Sequence, residues 1–220
     1  ADMADQFVNR LFLDPLLKGE YPRELWDKLR LFTPKVNEED MQRIAAPVDF
    51  IGINNYTREF AEYRRVIPFA HFYLSGLEVP EAEFVKDGVQ HTSMGWEVYP
   101  QGLYQLLMRM KDEYANPAVY ITENGAAFND EVIEEDGELR VHDQLRIDYL
   151  SSYLEQVEKA ARNGCKVKGY FVWTLMDNFE WAEGYDKRFG LIYVDYAHGQ
   201  KRIIKDSGYW YRAYIESHKG

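Results

Sequence analysis

The hydrophobic pattern alternates between short apolar runs and longer amphipathic stretches. Three runs rich in apolar and β-branched residues predict buried strands at Val48–Ile53, Ala118–Thr122 and Val167–Trp173. Apolar residues at helical spacing, with capping and breaking residues beside them, predict helices at Asp2–Leu17, Asn37–Ile44, Pro100–Met110, Asp143–Arg162 and Ser207–Ser217. This alternation predicts right-handed βαβ units and a parallel sheet, which is the α/β fold class.

The predicted strands are too few to close a barrel. An eight-stranded α/β barrel typically needs about 250 residues or more, whereas this chain has 220. The sheet is therefore either small and open or part of a larger fold. No period is sustained from Thr57 to Met94, a stretch that contains Pro68, Gly76 and Pro80, and we expect a functional loop or a small hairpin there.

Composition and charge restrict the class of partner. The chain is 46% hydrophobic and 29% charged, as is typical of a folded globular protein, and its formal charge is −11. Nucleic acids and anionic membranes recruit clustered Lys and Arg, so we expect neither and favour a small neutral or polar substrate. A single cysteine, Cys165, forms no intramolecular disulfide, and no apolar run approaches a membrane span, so we predict a soluble cytoplasmic protein.

Polar residues are concentrated shortly after the predicted strands. The clusters are Asn54-Asn55-Tyr56, Glu123-Asn124-Gly125 and Asp177-Asn178-Phe179-Glu180-Trp181. Because the carboxyl ends of parallel strands meet at one edge of a sheet, the clusters predict a single ligand site. Taken alone, Glu123 is better explained as a solvated or ion-paired glutamate. With Tyr56 to orient it and Glu180 to bind sugar hydroxyls, however, it becomes a candidate for chemistry.

Several segments resemble glycoside hydrolase family one, the β-glucosidase family, from one end of the chain to the other. They are Asn9–Pro15 with Gly19-Glu20-Tyr21-Pro22, Asp49–Tyr56, Met94–Pro100, Ile121-Thr122-Glu123-Asn124-Gly125, Gly169–Trp181 with Gly184-Tyr185 and Arg188–Leu191, and Lys205-Asp206-Ser207 with Tyr209-Trp210-Tyr211. The resemblance implies a (β/α)8 TIM barrel. Residues 1–220 would be the C-terminal portion of its single catalytic domain, about strands six to eight.

The resemblance also implies a retaining β-glycosidase that hydrolyses terminal β-glucosides, or β-galactosides or β-fucosides. Glu123 would be its nucleophile and Tyr56 the hydrogen-bonding partner of that nucleophile. The family's sugar-binding positions correspond to Asn54, Trp96, Trp173, Glu180, Trp181 and Phe189. Family members that act on 6-phosphosugars have a serine where this chain has Glu180, so an unphosphorylated sugar is implied.

The resemblance gives each sugar-binding position a separate role. Trp173 would lie beneath the nonreducing sugar, Glu180 would accept from its O4 and O6 hydroxyls, and Trp181 would contact O3. Trp96 would line the leaving-group side and Phe189 would close the pocket. On the residues alone, Trp96, Trp173 and Phe189 could instead belong to the core, and Asn54 could instead form a turn.

The sequence lacks a second catalytic carboxyl group at the place that the family pattern requires. A retaining mechanism needs two carboxyl groups about 5–5.5 Å apart. The family's acid/base glutamate belongs to a Thr-Phe/Leu-Asn-Glu-Pro motif, which this sequence does not contain. We therefore expect the N-terminal half of the barrel, as a second chain or segment, to be a partner. The alternatives are an inactive fragment, a noncatalytic sugar-binding module and a structural half-barrel.

No cofactor or metal is implied. The sequence has no glycine-rich phosphate loop. His91, His142 and His198 lie far apart without the spacing of metal ligands, and we expect them at the surface. We expect Glu134–Asp136 to form a solvated loop and Cys165 to be a small buried residue.

Overall fold

Helices and strands alternate in the computed structural model, which describes residues 1–63, 72–75, 85–86 and 88–219. The helical segments are α1 (Asp2–Asp5), a π-helical turn (Gln6–Arg10), α2 (Leu11–Lys18), α3 (Arg23–Lys28), α4 (Glu38–Ile44), α5 (Pro100–Glu113), α6 (Gln144–Arg162) and α7 (Asp206–Ser217). The strands are β1 (Ile51–Asn54), β2 (Phe60–Tyr63), β3 (Phe72–Ser75), β4 (Val85–Lys86), β5 (Val89–Gln90), β6 (Val119–Asn124), β7 (Ile133–Glu135), β8 (Glu138–Arg140), β9 (Val167–Val172), β10 (Ile192–Asp195) and β11 (Lys201–Ile204). The chain divides into two compact units.

The first unit is helical at its N-terminus. It consists of Ala1–Asp49, Glu59–Leu77 and Glu113–Ala115. The predicted first helix is present and ends before Gly19, but its middle turn, Gln6–Arg10, is π-helical. The predicted cap of α4 is confirmed, because the Asn37 side chain accepts from the backbone N–H of Asp40 and the Asp40 side chain accepts from that of Asn37.

A buried carboxylate links parts of the first unit that are distant in sequence. The Tyr114 hydroxyl donates to Asp14 at 2.8 Å, and Arg10 and Lys18 lie 3.0 and 3.2 Å from the same carboxylate. Burial opposes the ionisation of Asp14, but these hydrogen bonds outweigh it and lower its pKa. Asp14 is therefore a structural anion, paired on all sides within this unit.

The second unit contains a three-stranded parallel sheet in the order β1-β6-β9. The three predicted strands are present and parallel, as the sequence indicated. Pairing begins at Ile51, whose N–H donates to the carbonyl of Ala118 at 2.8 Å, so β1 starts later than predicted and extends to Asn54. Asn54 is in register with Glu123.

Two long helices contribute a large share of the buried apolar side chains of the second unit. The buried side chains recur at helical spacing and comprise Leu103, Leu107 and Met110 on α5, and Tyr149, Leu150, Tyr153, Leu154, Val157 and Ala160 on α6. In β6 the fully buried Val119 and Ile121 alternate with the more exposed Tyr120 and Thr122, so one face of the strand belongs to the core. Cys165 is buried, as predicted.

Two antiparallel hairpins were not predicted. β7 pairs with β8, and the two residues between them, Asp136 and Gly137, both have positive φ angles. Glu134–Asp136 is solvent-exposed, as predicted. The prediction that it forms a loop was wrong for Glu134 and Glu135, which belong to strand β7. β10 pairs with β11 in the same antiparallel manner.

The predicted loop from Thr57 to Met94 contains short strands. β2 pairs with β3, and β4 pairs with β5, both antiparallel. Pro68, Gly76 and Pro80, which the sequence analysis singled out in this loop, lie outside the described residues. In the part of the chain that the structure describes, no helix is both long enough and apolar enough to cross a membrane.

Candidate active site

The carboxyl end of the parallel sheet brings three of the predicted site residues to one edge. Asn54 ends β1 and is paired in register with Glu123 on β6. The Asn55 N–H donates to the Glu123 carbonyl at 3.0 Å, and the Trp173 N–H donates to the Asn124 carbonyl at 2.9 Å. Asn54, Glu123 and Trp173 therefore emerge from neighbouring strands at the same level of the sheet.

Glu123 accepts a short hydrogen bond from a phenol. The Tyr56 hydroxyl donates to Oε2 of Glu123 at 2.5 Å. Burial raises the pKa of Tyr56 far above its usual value, and the hydrogen bond and negative charge of Glu123 raise it further. The phenol is therefore a permanent donor at neutral pH, and it holds one carboxylate oxygen of Glu123 in place.

Glu180 is a second carboxyl group near Glu123. Burial raises the pKa of Glu180, a hydrogen bond from the Trp173 side chain opposes this, and the negative charges of Glu123 and Glu183 raise it further. Backbone hydrogen bonds join Glu180 and Gly184 in both directions, at 2.6 and 2.8 Å, and close a tight turn. The turn fixes Glu180 beside Trp173, so the pair presents an acceptor and a flat aromatic face together.

Two aromatic side chains lie beside the phenol of Tyr56. The ring of Tyr56 lies 5.5 Å from that of Trp96 and 6.3 Å from that of Phe189, and the last two rings are 6.2 Å apart. Phe189 is only 3% exposed, so it forms a wall of this cluster. Trp181, by contrast, is 89% exposed, and the structure does not pack it against the other predicted site residues.

A threonine orients the amide of Asn54. The Thr122 hydroxyl donates to Oδ1 of Asn54 at 2.7 Å. The amide nitrogen of Asn54 is thereby left as a donor at the edge of the sheet that carries Glu123. The sequence analysis did not predict this contact. The available signal was the position of Thr122 directly before Glu123, the residue that is in register with Asn54.

Asn124 connects three elements behind the site. It is completely buried, and its side-chain nitrogen donates to the Asn55 carbonyl at 2.7 Å and to the Tyr149 hydroxyl at 3.0 Å. The Tyr170 hydroxyl donates to its side-chain oxygen at 2.5 Å. Each polar atom of this buried amide is therefore satisfied, and the residue after Glu123 is fixed to β9, α6 and the loop after β1.

Gly125 allows two strand ends to approach closely. A Cβ atom at this position would lie 1.8 Å from the carbonyl oxygen of Trp173. Any residue other than glycine would therefore clash with this carbonyl. The peptide bond between Trp173 and Thr174 is cis. The glycine of the Glu123-Asn124-Gly125 cluster is therefore required by the position of Trp173.

Two phenols on α6 support the main chain of Tyr56. The hydroxyls of Tyr149 and Tyr153 donate to the Tyr56 carbonyl at 3.2 and 3.1 Å. Their rings are stacked, with centroids 4.3 Å apart. Sequence reasoning predicted the helix but not this role; the available signal was a pair of tyrosines four residues apart, which places both on one helix face.

An ion pair joins the loop after β1 to the segment that carries Trp96. Arg58 contacts Glu97 through Nε at 2.7 Å and through Nη2 at 2.8 Å, and Glu97 is buried. The Arg58 guanidinium also lies 3.7 Å from the ring centroid of Tyr99. The loop that carries Tyr56 is therefore held at Arg58 by this bidentate contact, in addition to the hydrogen bonds from α6 to the Tyr56 carbonyl.

A network of buried charges lies under the loops that follow β6 and β9. Lys205 Nζ is 2.5 Å from Asp130 and 2.9 Å from Asp177; Arg146 is 2.9 Å from Asp130 and Arg188 is 2.7 Å from Asp177. Burial lowers the pKa of Lys205 and the charge of Arg146 lowers it further, while the two aspartates oppose the shift. The network fixes Asp177, which lies three residues before Glu180.

The three histidines considered in the sequence analysis lie in different surroundings. In the described part of the chain, no three His, Cys, Asp or Glu side chains converge to hold a metal ion. His142 and His198 are exposed, as predicted. The prediction for His91 was wrong: it is only 2% exposed, because its Nδ1 contacts the Val89 carbonyl at 3.0 Å and its backbone bridges to Glu97.

Comparisons with known proteins bear on the predicted resemblance. The model of a family described as Glycosyl hydrolase family 1 matches residues 1–220. Beta-glucosidase A of Thermotoga maritima is 47% identical over 213 residues, which is 96% of this chain and 44% of that protein. A 1,4-beta-D-glucan glucohydrolase of Thermotoga neapolitana is 48% identical over 213 residues, 96% of this chain and 45% of that protein. The chain spans about half the length of the curated relatives that it matches.

A solved structure agrees with these relationships. The Thermotoga maritima family 1 glycoside hydrolase complexed with a cyclophellitol analogue transition state mimic has a TM-score of 0.83 and 46% sequence identity. The match covers 98% of this chain and 45% of that chain. The fold described above therefore corresponds to part of a larger α/β enzyme fold.

Proposed function

Because this chain belongs to glycosyl hydrolase family 1, we propose that it carries the nucleophile and most of the sugar-binding residues of a retaining β-glycosidase. The observation that carries the proposal is the 2.5 Å hydrogen bond from Tyr56 to Glu123 at the carboxyl end of the parallel sheet. The names of the relatives, a beta-glucosidase and a glucan glucohydrolase, support terminal β-glucosides as substrates. β-Galactosides and β-fucosides are alternative substrates within the same proposal.

In the proposed reaction, Glu123 acts in two steps. Its Oε1 attacks the anomeric carbon, the bond to the aglycone breaks, and a covalent glycosyl-enzyme forms; water then releases the sugar with its anomeric configuration retained. The hydrogen bond from Tyr56 to Oε2 supports this role, because it fixes the plane of the carboxylate and leaves the other oxygen to react. No cofactor enters this chemistry.

The remaining site residues are proposed to bind the nonreducing sugar. Glu180 offers two acceptor oxygens to neighbouring hydroxyls, and Trp173, which hydrogen-bonds to Glu180, offers a flat face for the ring. Asn54 donates through the amide nitrogen that Thr122 leaves free. A carboxylate at position 180 repels a phosphate, which supports an unphosphorylated sugar.

Trp96 is proposed to line the leaving-group side of the site, and Phe189 is proposed to close the pocket. Trp96 and Phe189 pack with Tyr56 around the nucleophile, so they delimit the space beside the scissile bond. Trp181 is proposed to contact the sugar from the turn that carries Glu180. Its exposure supports a residue that gains contacts only when a sugar or a further segment of protein is present.

The proposal needs a second carboxyl group, which we assign to an N-terminal half of the barrel. A general acid about 5–5.5 Å from Glu123 must protonate the departing oxygen. Large apolar side chains beside the site, Phe171, Leu175 and Phe179, are exposed, which supports a companion that covers them. Residues 1–220 would then be the C-terminal portion of one (β/α)8 barrel, completed by a second chain or segment.

Replacement of the nucleophile tests the proposed activity. In the intact protein, with any companion chain, Glu123→Gln should reduce the hydrolysis of p-nitrophenyl β-glucoside by about a thousandfold or more, because the amide cannot form the glycosyl-enzyme. The matched control is Glu131→Gln, which removes an exposed carboxylate eight residues later, in the loop after β6, and should leave the rate unchanged.

The opposite outcome has a definite meaning. Full activity in Glu123→Gln would exclude Glu123 as the nucleophile. If the wild-type protein binds a β-glucoside without hydrolysing it, the chain is a sugar-binding module, and if it neither binds nor hydrolyses one, it is a structural half-barrel or an inactive fragment. Circular dichroism of each variant distinguishes a lost reaction from a lost fold.

A further inference from the structure

Helix α6 directs two hydroxyl groups at one carbonyl oxygen of the candidate site. The hydroxyls of Tyr149 and Tyr153 both donate to the main-chain oxygen of Tyr56, at 3.2 and 3.1 Å. Both tyrosines are completely buried. The residues are four apart on α6, so successive turns of a single rigid helix present their side chains in the same direction. A carbonyl held by two donors from one helix has little freedom to move.

Each of these hydroxyls also accepts a hydrogen bond from an N–H group. The Tyr149 hydroxyl accepts from the side-chain N–H of Asn124 at 3.0 Å, and the Tyr153 hydroxyl accepts from the backbone N–H of Tyr99 at 3.2 Å. A phenol has one proton to donate. Since an N–H group already donates to each hydroxyl, the phenol protons are available to the Tyr56 carbonyl, and a hydrogen bond between the two hydroxyls couples them as a pair.

Both phenols keep these protons over a wide range of pH. Burial raises the pKa of Tyr149 well above its usual value, and the neighbouring Tyr153 and Tyr170 add to the shift. Burial likewise raises the pKa of Tyr153. The two donors are therefore unaffected by any pH change near neutrality, and they act as fixed supports and not as proton carriers.

The same network reaches Glu123 from its other side. Asn124, the residue that follows Glu123, donates to the Tyr149 hydroxyl and to the Asn55 carbonyl, at 3.0 and 2.7 Å. Tyr149 is thus bonded both to the residue after Glu123 and to the residue that supplies the phenol for Glu123. One buried hydroxyl therefore links the segments that carry the two members of the 2.5 Å hydrogen bond.

We propose that Tyr149 and Tyr153 are positioning residues for the reaction at Glu123, and that they act through Tyr56. They hold the main chain of Tyr56 in the position from which its phenol donates to Oε2 of Glu123. In this way they keep the carboxylate aligned for attack. The inference rests on the proposed function. It adds residues on α6 that touch neither the substrate nor the reacting atoms.

The test removes single hydroxyl groups and measures attack by Glu123 separately from binding. Tyr149→Phe and Tyr153→Phe keep the buried rings and lose only the donors. The intact protein is inactivated with 2,4-dinitrophenyl 2-deoxy-2-fluoro-β-glucoside, whose leaving group needs no general acid. We expect the first-order inactivation constant to fall about five- to tenfold in each variant, while the dissociation constant of the reagent stays the same.

A double-mutant cycle with Tyr56→Phe distinguishes positioning from general support. If the α6 hydroxyls act through the Tyr56 phenol, Tyr153→Phe should have no further effect on inactivation once that phenol is absent. The matched control is Tyr214→Phe, which removes another phenol hydroxyl of this region, the donor to Glu158 at 2.5 Å, and should leave inactivation unchanged.

The outcomes separate this inference from the proposed function. A wild-type protein that never labels at Glu123 would refute the proposed function, and this inference with it. Normal inactivation constants in both α6 variants, or losses that multiply in the Tyr56→Phe background, would overturn this inference alone. Thermal unfolding accompanies each variant, and if Tyr149→Phe does not fold, Tyr153→Phe carries the test by itself.

Discussion

Glu180 is a residue of the candidate site whose pKa is raised. Burial raises its pKa and the negative charge of Glu123 adds to this shift, while the hydrogen bond from Trp173 opposes it. As the pH falls, Glu180 therefore takes up a proton before an ordinary glutamate does. A protonated carboxyl group loses part of its capacity to accept hydrogen bonds from sugar hydroxyls.

Sugar affinity should therefore depend on pH through this residue. We expect the affinity for a nonhydrolysable β-thioglucoside, measured by calorimetry between about pH 4 and pH 8, to fall as the pH drops through the raised pKa of Glu180. Glu180→Gln should bind more weakly at neutral pH and show a flatter pH dependence. A wild-type affinity that does not change across this range would contradict the assignment of Glu180 as a sugar acceptor.

At the residue level, the sequence predicted which candidate residues lie close together better than it predicted the residues that support them. The proximity of Asn54, Tyr56 and Glu123 was predictable because polar residues directly after buried strands converge at one edge of a parallel sheet. Tyr149 was not, because a tyrosine on an amphipathic helix is equally consistent with simple core packing. His91 was misjudged for a related reason: burial of a polar ring depends on tertiary contacts that no local pattern records.

At the level of elements, several buried and half-buried phenols lie on α6, β9 and α7. Burial raises the pKa of Tyr149 and of Tyr170 on β9 well above their usual values, and it raises that of Tyr211 on α7. In the unfolded chain these phenols ionise near pH 10. Above that pH the unfolded state has lost protons that the folded state retains, so the stability falls as the pH rises.

Alkaline titration should separate these phenols from the exposed ones. We expect the absorbance at about 295 nm to show one group of tyrosines ionising near pH 10 and a second group ionising only as the fold is lost. Denaturant titrations should show a free energy of unfolding that decreases above about pH 10. If all 17 tyrosines ionised in one step while circular dichroism stayed native, the burial of these phenols would be contradicted.

Elements with a strong local signal were predictable from the sequence, and the others were not. Asn37 and the acidic residues after it gave the start of α4, and alternation of apolar runs and amphipathic stretches gave the three parallel strands. The β7–β8 hairpin was missed although Asp136-Gly137 is a strong two-residue turn signal, because the acidic flanking residues resemble a solvated loop. The π-helical turn Gln6–Arg10 leaves the apolar spacing almost unchanged, so the sequence gives no sign of it.

At the level of the whole molecule, the buried charge network joins elements that are far apart in sequence. Lys205, at the start of α7, contacts Asp130 after β6 and Asp177 after β9. The side chains of these three residues are at most 1% exposed. Removal of the cation leaves two buried aspartates with less compensation, and loss of one member of a buried ion pair is strongly destabilising.

Lys205→Met should therefore lower the free energy of unfolding by about 3–5 kcal/mol, measured by urea denaturation at neutral pH. The control is Lys201→Met, which removes an exposed lysine four residues earlier and should leave the midpoint unchanged. Equal midpoints for the two variants would show that the network contributes nothing to the stability of the folded chain.

The central claim concerns the whole molecule, since it assigns one half of a retaining active site to this chain and the other half to a companion. Intact-mass spectrometry of the isolated protein, before and after incubation with an activated 2-deoxy-2-fluoro-β-glucoside, tests it directly, with peptide mapping of any adduct. We predict one fluoroglycosyl adduct per site, located on Glu123, in a sample that contains a longer chain or a second polypeptide. A lone 26.0 kDa species that never acquires the adduct, or an adduct on another residue, would contradict the account.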